Sequence, residues 1–310
     1  MNILIVGLGS IARKHIAAIR ALAPEARIYG LRSSKDAPPV EGVTDVYALD
    51  EAKVAFDFAI ISNPTSCHAA TIEALMGLRI PLFIEKPVFG ELDNERLVET
   101  VESSGILNYV ACNLRFLDSI RYLHDYIASH PDRRVNEVNV YCGSHLPDWR
   151  PGTDYRKCYS AIPELGGGVN IDLIHDIDYV YWIFGRPEKT VSVCRNVSSL
   201  GIRAIDYANY TLLYPKFTAS VILNYYRRDY RRTVEIVFDD DTWLADLKEN
   251  VITDSRGSTV YKGKNTPQDT YLGQMEYFLN LIKNGGMAEN TVTEAYNVLK
   301  ICLGNERSKG

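Results

Sequence analysis

The chain opens Met1-Asn-Ile-Leu-Ile-Val-Gly7-Leu-Gly9-Ser-Ile-Ala12-Arg13, and the reading of this stretch decides the fold. Residues 3–6 form an apolar run with the length of a buried parallel strand, and the run stops at Gly7-Leu-Gly9-Ser10-Ile11-Ala12. The next stretch, with His15, Ile16, Ile19 and Leu22, carries no helix breaker before Pro24, so the glycines occupy a strand-to-helix turn. A Gly-x-Gly-x-x-Ala string is weak alone; a strand before it and a helix after it supply the mechanism. Gly7 permits the tight turn, Gly9 lets the backbone approach a pyrophosphate, and Ala12 is small enough for close helix–strand packing. The phosphates would then face the N–H groups around Ser10 and Ile11, at the positive end of the helix. The competing reading is an ordinary glycine-rich loop starting an α/β unit, and the position at the head of the chain favours the dinucleotide.

Residues 27–31 read as a second strand, and the residue type at its end discriminates between dinucleotides. An acidic residue there accepts hydrogen bonds from the adenosine ribose and repels a 2′-phosphate. The chain instead presents Arg32-Ser33-Ser34-Lys35, which suits a phosphate, so NADP(H) is expected in preference to NAD(H). The alternative is that Arg32 and Lys35 belong to a solvated loop and both dinucleotides are accepted.

With 310 residues, 46% of them hydrophobic and 24% charged, the chain is long enough for two cores, and two domains are expected. No run approaches the length of a membrane span and the N-terminus begins a strand, so a cytoplasmic protein without membrane partners is expected. A net charge of −5 argues against a nucleic-acid partner. The six cysteines and six histidines are scattered, with none at metal-ligand spacing, so no metal site is expected and the thiols read as free in a reducing compartment.

Residues 56–62 and 80–84 continue the strand pattern, with an amphipathic helix between them ending near Met76. In a parallel sheet ligands lie outside the carboxyl ends of the strands, which brings Asn63-Pro64-Thr65 and Glu85-Lys86-Pro87 towards the dinucleotide. On the residues alone, Lys86 is either a surface lysine at a strand exit or an ammonium placed to stabilise a developing alkoxide.

These pieces, taken with others, resemble the glucose-fructose oxidoreductase, inositol dehydrogenase and MocA (Gfo/Idh/MocA) family. The matching segments are Gly7-x-Gly9-x-x-Ala12, Asn63-Pro-Thr-x-x-His68, Glu85-Lys86-Pro87, Asn113-Leu-Arg115-Phe116, and Gly166-Gly-Gly leading into His175, in order along nearly the whole chain. The resemblance implies an N-terminal Rossmann domain, expected over residues 1–114, and a substrate-binding and oligomerising α+β domain over residues 115–310. A large, mainly antiparallel open sheet forms the second, with the last helices bracing both. It further implies that Lys86 contacts the nicotinamide ribose and the reacting hydroxyl, that Glu85 lies beside the nicotinamide, and that Asn63, Pro64, Thr65 and His68 line the cofactor cleft. Asn113 and Arg115 fall on the substrate side.

In the second half, residues 134–145 alternate as a strand and lead into Leu146-Pro-Asp-Trp149-Arg150-Pro-Gly-Thr-Asp-Tyr155-Arg-Lys157. A long loop of this composition is often functional: Arg150 suits a carboxylate or diphosphate, while Trp149 and Tyr155 suit a sugar or base face. A rim loop whose aromatics pack on their own domain is the other reading. After Gly166-Gly-Gly the chain is helical in period up to Gly185, placing Asp172 and His175 on one face near Asn170. His175 is the candidate proton carrier, Asp172 its orienting partner and Asn170 a substrate contact. The three-residue Asp–His spacing departs from the four-residue family pattern and resembles a subset associated with sugar-nucleotide and surface-polysaccharide pathways.

Residues 190–247 supply strand after strand with short turns, as an antiparallel sheet requires. The run 227–232, Arg-Arg-Asp-Tyr-Arg-Arg, reads as a turn, either a solvated hairpin tip or an anion contact. Residues 270–283 and 292–303 read as helices, the latter capped by Thr291-x-x-Glu294. The expectation is an NAD(P)-dependent dehydrogenase or reductase moving a hydride between nicotinamide and a carbinol or ketone carbon of a sugar, nucleotide-linked or acidic. A homodimer or homotetramer is expected to form through the C-terminal sheet. Two rivals are a glycoside hydrolase of the same fold that works through transient oxidation by held NAD, and a non-catalytic NADP-sensing protein.

Overall fold

The computed structural model describes residues 1–304. In chain order the elements are β1 (Asn2–Val6), α1 (Ser10–Leu22), β2 (Arg27–Leu31), β3 (Val43–Val46), β4 (Phe58–Ile61), α2 (His68–Met76), β5 (Leu82–Ile84), α3 (Glu95–Ser103) and β6 (Asn108–Val110). Then come α4 (Asp118–Ser129), β7 (Val135–His145), α5 (Val169–Asp172), α6 (His175–Phe184), β8 (Lys189–Arg195), β9 (Tyr207–Leu213) and β10 (Thr218–Asn224). The chain finishes with β11 (Tyr226–Phe238), β12 (Thr242–Asp246), β13 (Val251–Thr253), β14 (Thr259–Lys262), α7 (Asp269–Asn284) and α8 (Val292–Leu303). Two compact units result: Met1–Asn113 with Gln268–Leu299, and Leu114–Pro267 with residues 300–304.

The first unit is a six-stranded parallel sheet in the order β3-β2-β1-β4-β5-β6, the doubly wound arrangement whose strand order reverses beside β1. Its central strands read as continuous apolar runs because helices cover both faces: Ile3, Leu4 and Ile5 of β1 and Phe58, Ala59, Ile60 and Ile61 of β4 are wholly buried. Full burial of each large side chain contributes about 1.5–3 kcal/mol. Helix α1 buries Ala12, His15, Ile16, Ala18 and Ile19, a stripe at three- and four-residue spacing. Helix α7 returns from far along the chain to this unit. Lys14 Nζ lies 4.2 Å from the Tyr271 ring centre, and Phe278 meets Phe58 and Phe83 edge-on at 5.4 and 5.3 Å. The segment before α8 is stitched to β6, where Asn290 Nδ2 donates to Val110 O at 2.8 Å and Val292 N to Asn108 Oδ1 at 2.7 Å. Thr291 caps α8, its Oγ1 accepting from Glu294 N.

The second unit is built on an eight-stranded sheet in the order β14-β13-β12-β11-β7-β10-β9-β8, antiparallel except where β10 runs parallel to β7. Alternation along each strand sends Val138, Val140 and Cys142 of β7, Val221 and Leu223 of β10, and Val234 and Ile236 of β11 into the core. Helices α4 and α6 join through the His124 and Trp182 rings, stacked 3.8 Å apart.

Two local expectations are corrected. The run 227–232 is not a turn but the beginning of β11. The register of β11 against β7 slips between Tyr226, opposite His145, and Arg231, opposite Gly143, so the extra residues form an irregularity within the strand. Arg227 lies over Gly143 there, and a β-carbon on Gly143 would come within 2.9 Å of it. The helix after the glycine triplet is also broken: α5 stops at Asp172 and α6 starts at His175, with Leu173 at φ −99°, ψ 25°. The carboxylates on either side of the break are held by different side chains, Asp172 by Tyr225 from the bend between β10 and β11, and Asp176 by Arg232 of β11.

Candidate functional site

In the first unit the candidate residues gather at the carboxyl ends of β1, β4 and β5. Gly7 has φ +85°, and a β-carbon on it would sit 2.6 Å from Asn63 Cα, so the turn admits only glycine. Gly9 is different: a β-carbon there would meet nothing within 4 Å, and the glycine leaves the backbone open to approach. The N-cap of α1, Gly9, brings no capping side chain, so among the described residues the N–H groups of Ser10 and Ile11 at its first turn have no side-chain cap. Ala12 is fully buried. An open glycine, an uncapped helix start and a small residue packed beneath fit a pyrophosphate.

Asn63 comes just after β4, and its Nδ2 donates to Thr71 Oγ1 at 2.8 Å while its buried Oδ1 has no hydrogen-bond partner among the described residues. Pro64 and Thr65 lead into a short 3₁₀ turn, residues Thr65–Cys67, ahead of His68. At the end of β5, Glu85 is 7% exposed; its Oε1 lies 2.6 Å from His15 Nε2 and its Oε2 accepts from Lys86 N at 3.1 Å. Sequence reasoning sees His15 only as a helix residue; its place on the buried stripe of α1 is the signal that singles it out. Lys86 is half-buried, and the Lys86–Pro87 peptide is cis. Asn113 is buried and donates to Thr270 Oγ1 at 2.7 Å, a bond that ties the end of this segment to α7.

Arg32 departs from its expected part. Its Nε donates to Asp45 Oδ1 at 2.7 Å and its two terminal nitrogens to the Ala37 and Pro38 carbonyls at 3.1 and 2.7 Å. These bonds fold the guanidinium into its own loop, whereas Ser33, Ser34 and Lys35 are exposed.

In the second unit, Asp172 is the last residue of α5 and its Oδ2 accepts from Tyr225 Oη at 2.5 Å. Burial pushes the Tyr225 phenol well above its ordinary value near 10, so it remains a donor. Tyr159 is raised by burial too, and Asp172 adds to the effect. His175 opens α6 and is half-buried. Asn170 is 3% exposed, its Oδ1 has no hydrogen-bond partner among the described residues, and a β-carbon on Gly168 would lie 2.7 Å from that oxygen. Gly167 is required by packing, since a β-carbon would collide with the Tyr159 carbonyl at 2.1 Å.

In the loop after β7, Trp149 Nε1 donates to Ser144 Oγ at 3.1 Å and its ring meets Tyr225 edge-on at 5.4 Å. The Arg150 guanidinium stands 5.2 Å from the Tyr159 ring centre, and Tyr155 Oη donates to Leu200 O at 2.9 Å. Trp149 and Arg150 therefore meet the two tyrosines beside Asp172, while Tyr155 is turned to Leu200. Arg115 does not join this group: it is 2% exposed, and its Nε and Nη2 donate to the two carboxylate oxygens of Asp178 at 2.9 and 2.6 Å. Tyr225 and Tyr159 had no local signal, because only the fold brings them to Asp172.

Against known proteins, the model of an oxidoreductase family with an NAD-binding Rossmann fold matches residues 1–111, and the GFO/IDH/MocA C-terminal domain matches residues 133–243. The chain belongs to the Gfo/Idh/MocA oxidoreductase family. The 3-2-1-4-5-6 strand order and the large sheet of the second unit are the two domains those models describe. Inositol 2-dehydrogenase of Rhizobium meliloti (strain 1021) is 27% identical to this family member over 215 residues, 66% of this chain and 60% of that protein, so the match spans about three fifths of the relative. UDP-N-acetylglucosamine 3-dehydrogenase GnnA from Acidithiobacillus ferrooxidans superposes with a TM-score of 0.78 at 19% identity, covering 98% of this chain and 96% of its own. The WlbA dehydrogenase from Bordetella pertussis, solved with NADH and UDP-GlcNAcA, gives 0.79 at 16% identity over 98% and 95%. No described helix of this oxidoreductase is long and apolar enough to cross a membrane.

Proposed function

We propose that this oxidoreductase transfers a hydride between a nicotinamide dinucleotide and the carbinol or ketone carbon of a sugar, with nucleotide-linked or acidic sugars as the substrate class. The observation that carries the reading is Lys86: a lysine at the carboxyl end of β5, two strands from the glycine turn in a sheet of this order, with its flanking residues pinned. The sugar class draws on relatives that act on inositol and on UDP-N-acetylglucosamine.

When bound, the nicotinamide supplies or accepts the hydride. The Ser10 and Ile11 N–H groups would hold the pyrophosphate, and Asn63, Pro64 and Thr65 would line the cofactor cleft, with Glu85 beside the nicotinamide. Lys86 holds its ammonium against the substrate oxygen and stabilises negative charge as it develops there. His175 takes the hydroxyl proton in oxidation and returns it in reduction. Asp172, fixed by Tyr225, orients that exchange. The first unit thus carries the dinucleotide and the second, through Asn170, Trp149, Arg150 and Tyr155, the substrate.

Preference for NADP(H) over NAD(H) is part of the proposal, but it rests on exposed Ser33 and Lys35 instead of Arg32, each of whose three nitrogens donates to Asp45, Ala37 or Pro38. The six cysteines form no disulfide among the described residues, which suits a cytoplasmic, reducing setting. Assembly into a dimer or tetramer is assigned to the face of the second sheet where Val191 and Val193 stand half exposed, 49% and 50%.

The test is a fluorescence titration with NADH and NADPH, then assays with the oxidised dinucleotides and UDP-N-acetylglucosamine, its uronic acid or inositol. Dinucleotide binding strengthened by one of these, with turnover, supports the reading. Failure to bind either dinucleotide refutes it, and a dinucleotide that co-purifies and does not exchange turns it towards a redox-assisted hydrolase.

A further inference from the structure

Strand alternation divides the run 227–232 between the two faces of β11. The Arg227 and Arg231 guanidinium groups lie 5.1 and 6.0 Å from the Tyr141 ring centre. Arg228, Tyr230 and Arg232, spaced two apart, line a cavity of about 330 Å³, and Cys142, opposite Arg232 in the ladder, lines it with them. That volume suits a small molecule or one end of a larger one. Two further walls tie the cavity to the site already described: Trp149, whose ring meets Tyr225, and Leu173, the residue after Asp172 at the break before α6.

The charges on these walls are not equally matched. The Arg232 side chain is 12% exposed, and its Nε and Nη2 donate to the two Asp176 oxygens at 2.9 and 2.5 Å, so its charge is answered. The Arg228 side chain has no hydrogen bond or ion pair among the described residues. Burial pushes the Cys142 thiol up to about 12 and raises the Tyr230 phenol, so both stay neutral and repel no anion. One acid, Asp148, also lines the cavity, 3.0 Å from His145 Nδ1. An uncommitted guanidinium favours an anion, and its planar fork matches a carboxylate. Asp148 on the same wall disfavours a group that carries several negative charges.

We propose that this cavity holds the carboxylate of an acidic sugar, with Arg228 as the group that binds it, so that the enzyme selects the sugar acid over its neutral counterpart. The assignment rests on the reading of Asp172 and His175 as the proton-exchange site and deepens it. A carboxylate held by Arg228 anchors the sugar by its acidic end in a cavity walled by the residue next to Asp172. Such an anchor acts on KM for the acid and leaves the chemical step to the reacting groups.

Calorimetric titration compares UDP-N-acetylglucosamine uronic acid with UDP-N-acetylglucosamine, and D-glucuronate with D-glucose; within each pair the only change is a carboxylate for a hydroxymethyl group. The wild-type protein should bind the acid of at least one pair about tenfold more tightly. Arg228→Met should abolish that ratio, and Arg228→Lys, which keeps the charge and loses the fork, should restore part of it. Arg231→Met removes a charge from the other face of the same strand and should keep the ratio. In turnover assays Arg228→Met should raise KM for the acid about tenfold with kcat preserved. Wild-type protein that prefers neither acid, a preference that survives Arg228→Met, or one lost equally in Arg231→Met overturns the proposal. Binding of UDP alone that depends on Arg228 overturns it too, since the cavity then takes a diphosphate. Protein that binds the acid through Arg228 but binds no dinucleotide overturns the functional reading and leaves the carboxylate site standing.

Discussion

Nε2 of His15 lies 2.6 Å from Oε1 of Glu85, a bond that joins the helix after the glycine turn to the residue before Lys86. Both side chains are buried, 0% and 9% exposed, and Glu85 Oε2 continues the chain to the Lys86 amide. The pyrophosphate turn and the lysine turn are thus fastened to each other inside one unit.

Replacing His15 by Leu leaves a buried carboxylate without its main partner, at a cost of about 2–5 kcal/mol. The variant should melt several degrees lower and bind NADH more weakly, read by scanning calorimetry and titration. The double variant His15→Leu, Glu85→Met should recover much of the stability and none of the activity.

Lys86→Ala should lower turnover roughly 10²–10³-fold, the usual effect of removing one stabilising donor at a developing oxyanion, with NADH affinity within a few-fold of wild type. His175→Ala should cost roughly 10²–10⁴-fold with the same retention of binding. Steady-state rates beside NADH titration check both; full turnover in either variant removes that residue from its role.

Arg115→Met isolates the Asp178 carboxylate in the core of the second unit and should cost about 3–5 kcal/mol of stability. Arg115 matches a family segment expected on the substrate side, but its Nε and Nη2 hold the two carboxylate oxygens of Asp178 and the residue is 2% exposed. Lowered melting temperature with unchanged KM in the surviving folded protein is the outcome that separates the structural part from a substrate contact.

Tyr179, Tyr210 and Tyr225 are buried, and burial raises each phenol well above its ordinary value near 10. The folded state then holds these protons more tightly than the unfolded chain does. Their contribution to stability is complete below pH 10 and is lost progressively as pH climbs above it towards the folded-state values. Urea denaturation at a series of alkaline pH values should show stability falling beyond about pH 10, less steeply in Tyr210→Phe. In Tyr225→Phe, loss of the bond to Asp172 should also reduce turnover about tenfold.

Lys35→Glu should weaken NADPH binding about fivefold while leaving NADH nearly unchanged, as expected for one solvated charge contact to a 2′-phosphate. Arg32→Ala should disturb the loop through its lost bonds to Asp45, Ala37 and Pro38 and weaken both dinucleotides alike. Equal effects of Lys35→Glu on the two dinucleotides would remove Lys35 from the support for an NADP(H) preference and leave Ser33 alone in that part.

What the sequence by itself determined is what is encoded locally. The buried strand ending at Gly7, the helix from Ser10, the Thr291 cap and the alternating strands of the second sheet each arise from turn chemistry and hydrophobic period within a window of some ten residues. Only the tertiary structure decided which side chains meet. Asp45 takes Arg32, Asp178 takes Arg115, Tyr225 reaches Asp172 from 53 residues away, and α7 packs in the first unit although it comes after the whole second sheet in sequence. The break at Leu173 and the strand that replaces the arginine turn belong here too, since no glycine or proline marks either. The physical reason is the range of the forces involved: backbone conformation answers to near neighbours, whereas a buried charge takes whichever partner the packed core brings within hydrogen-bond reach.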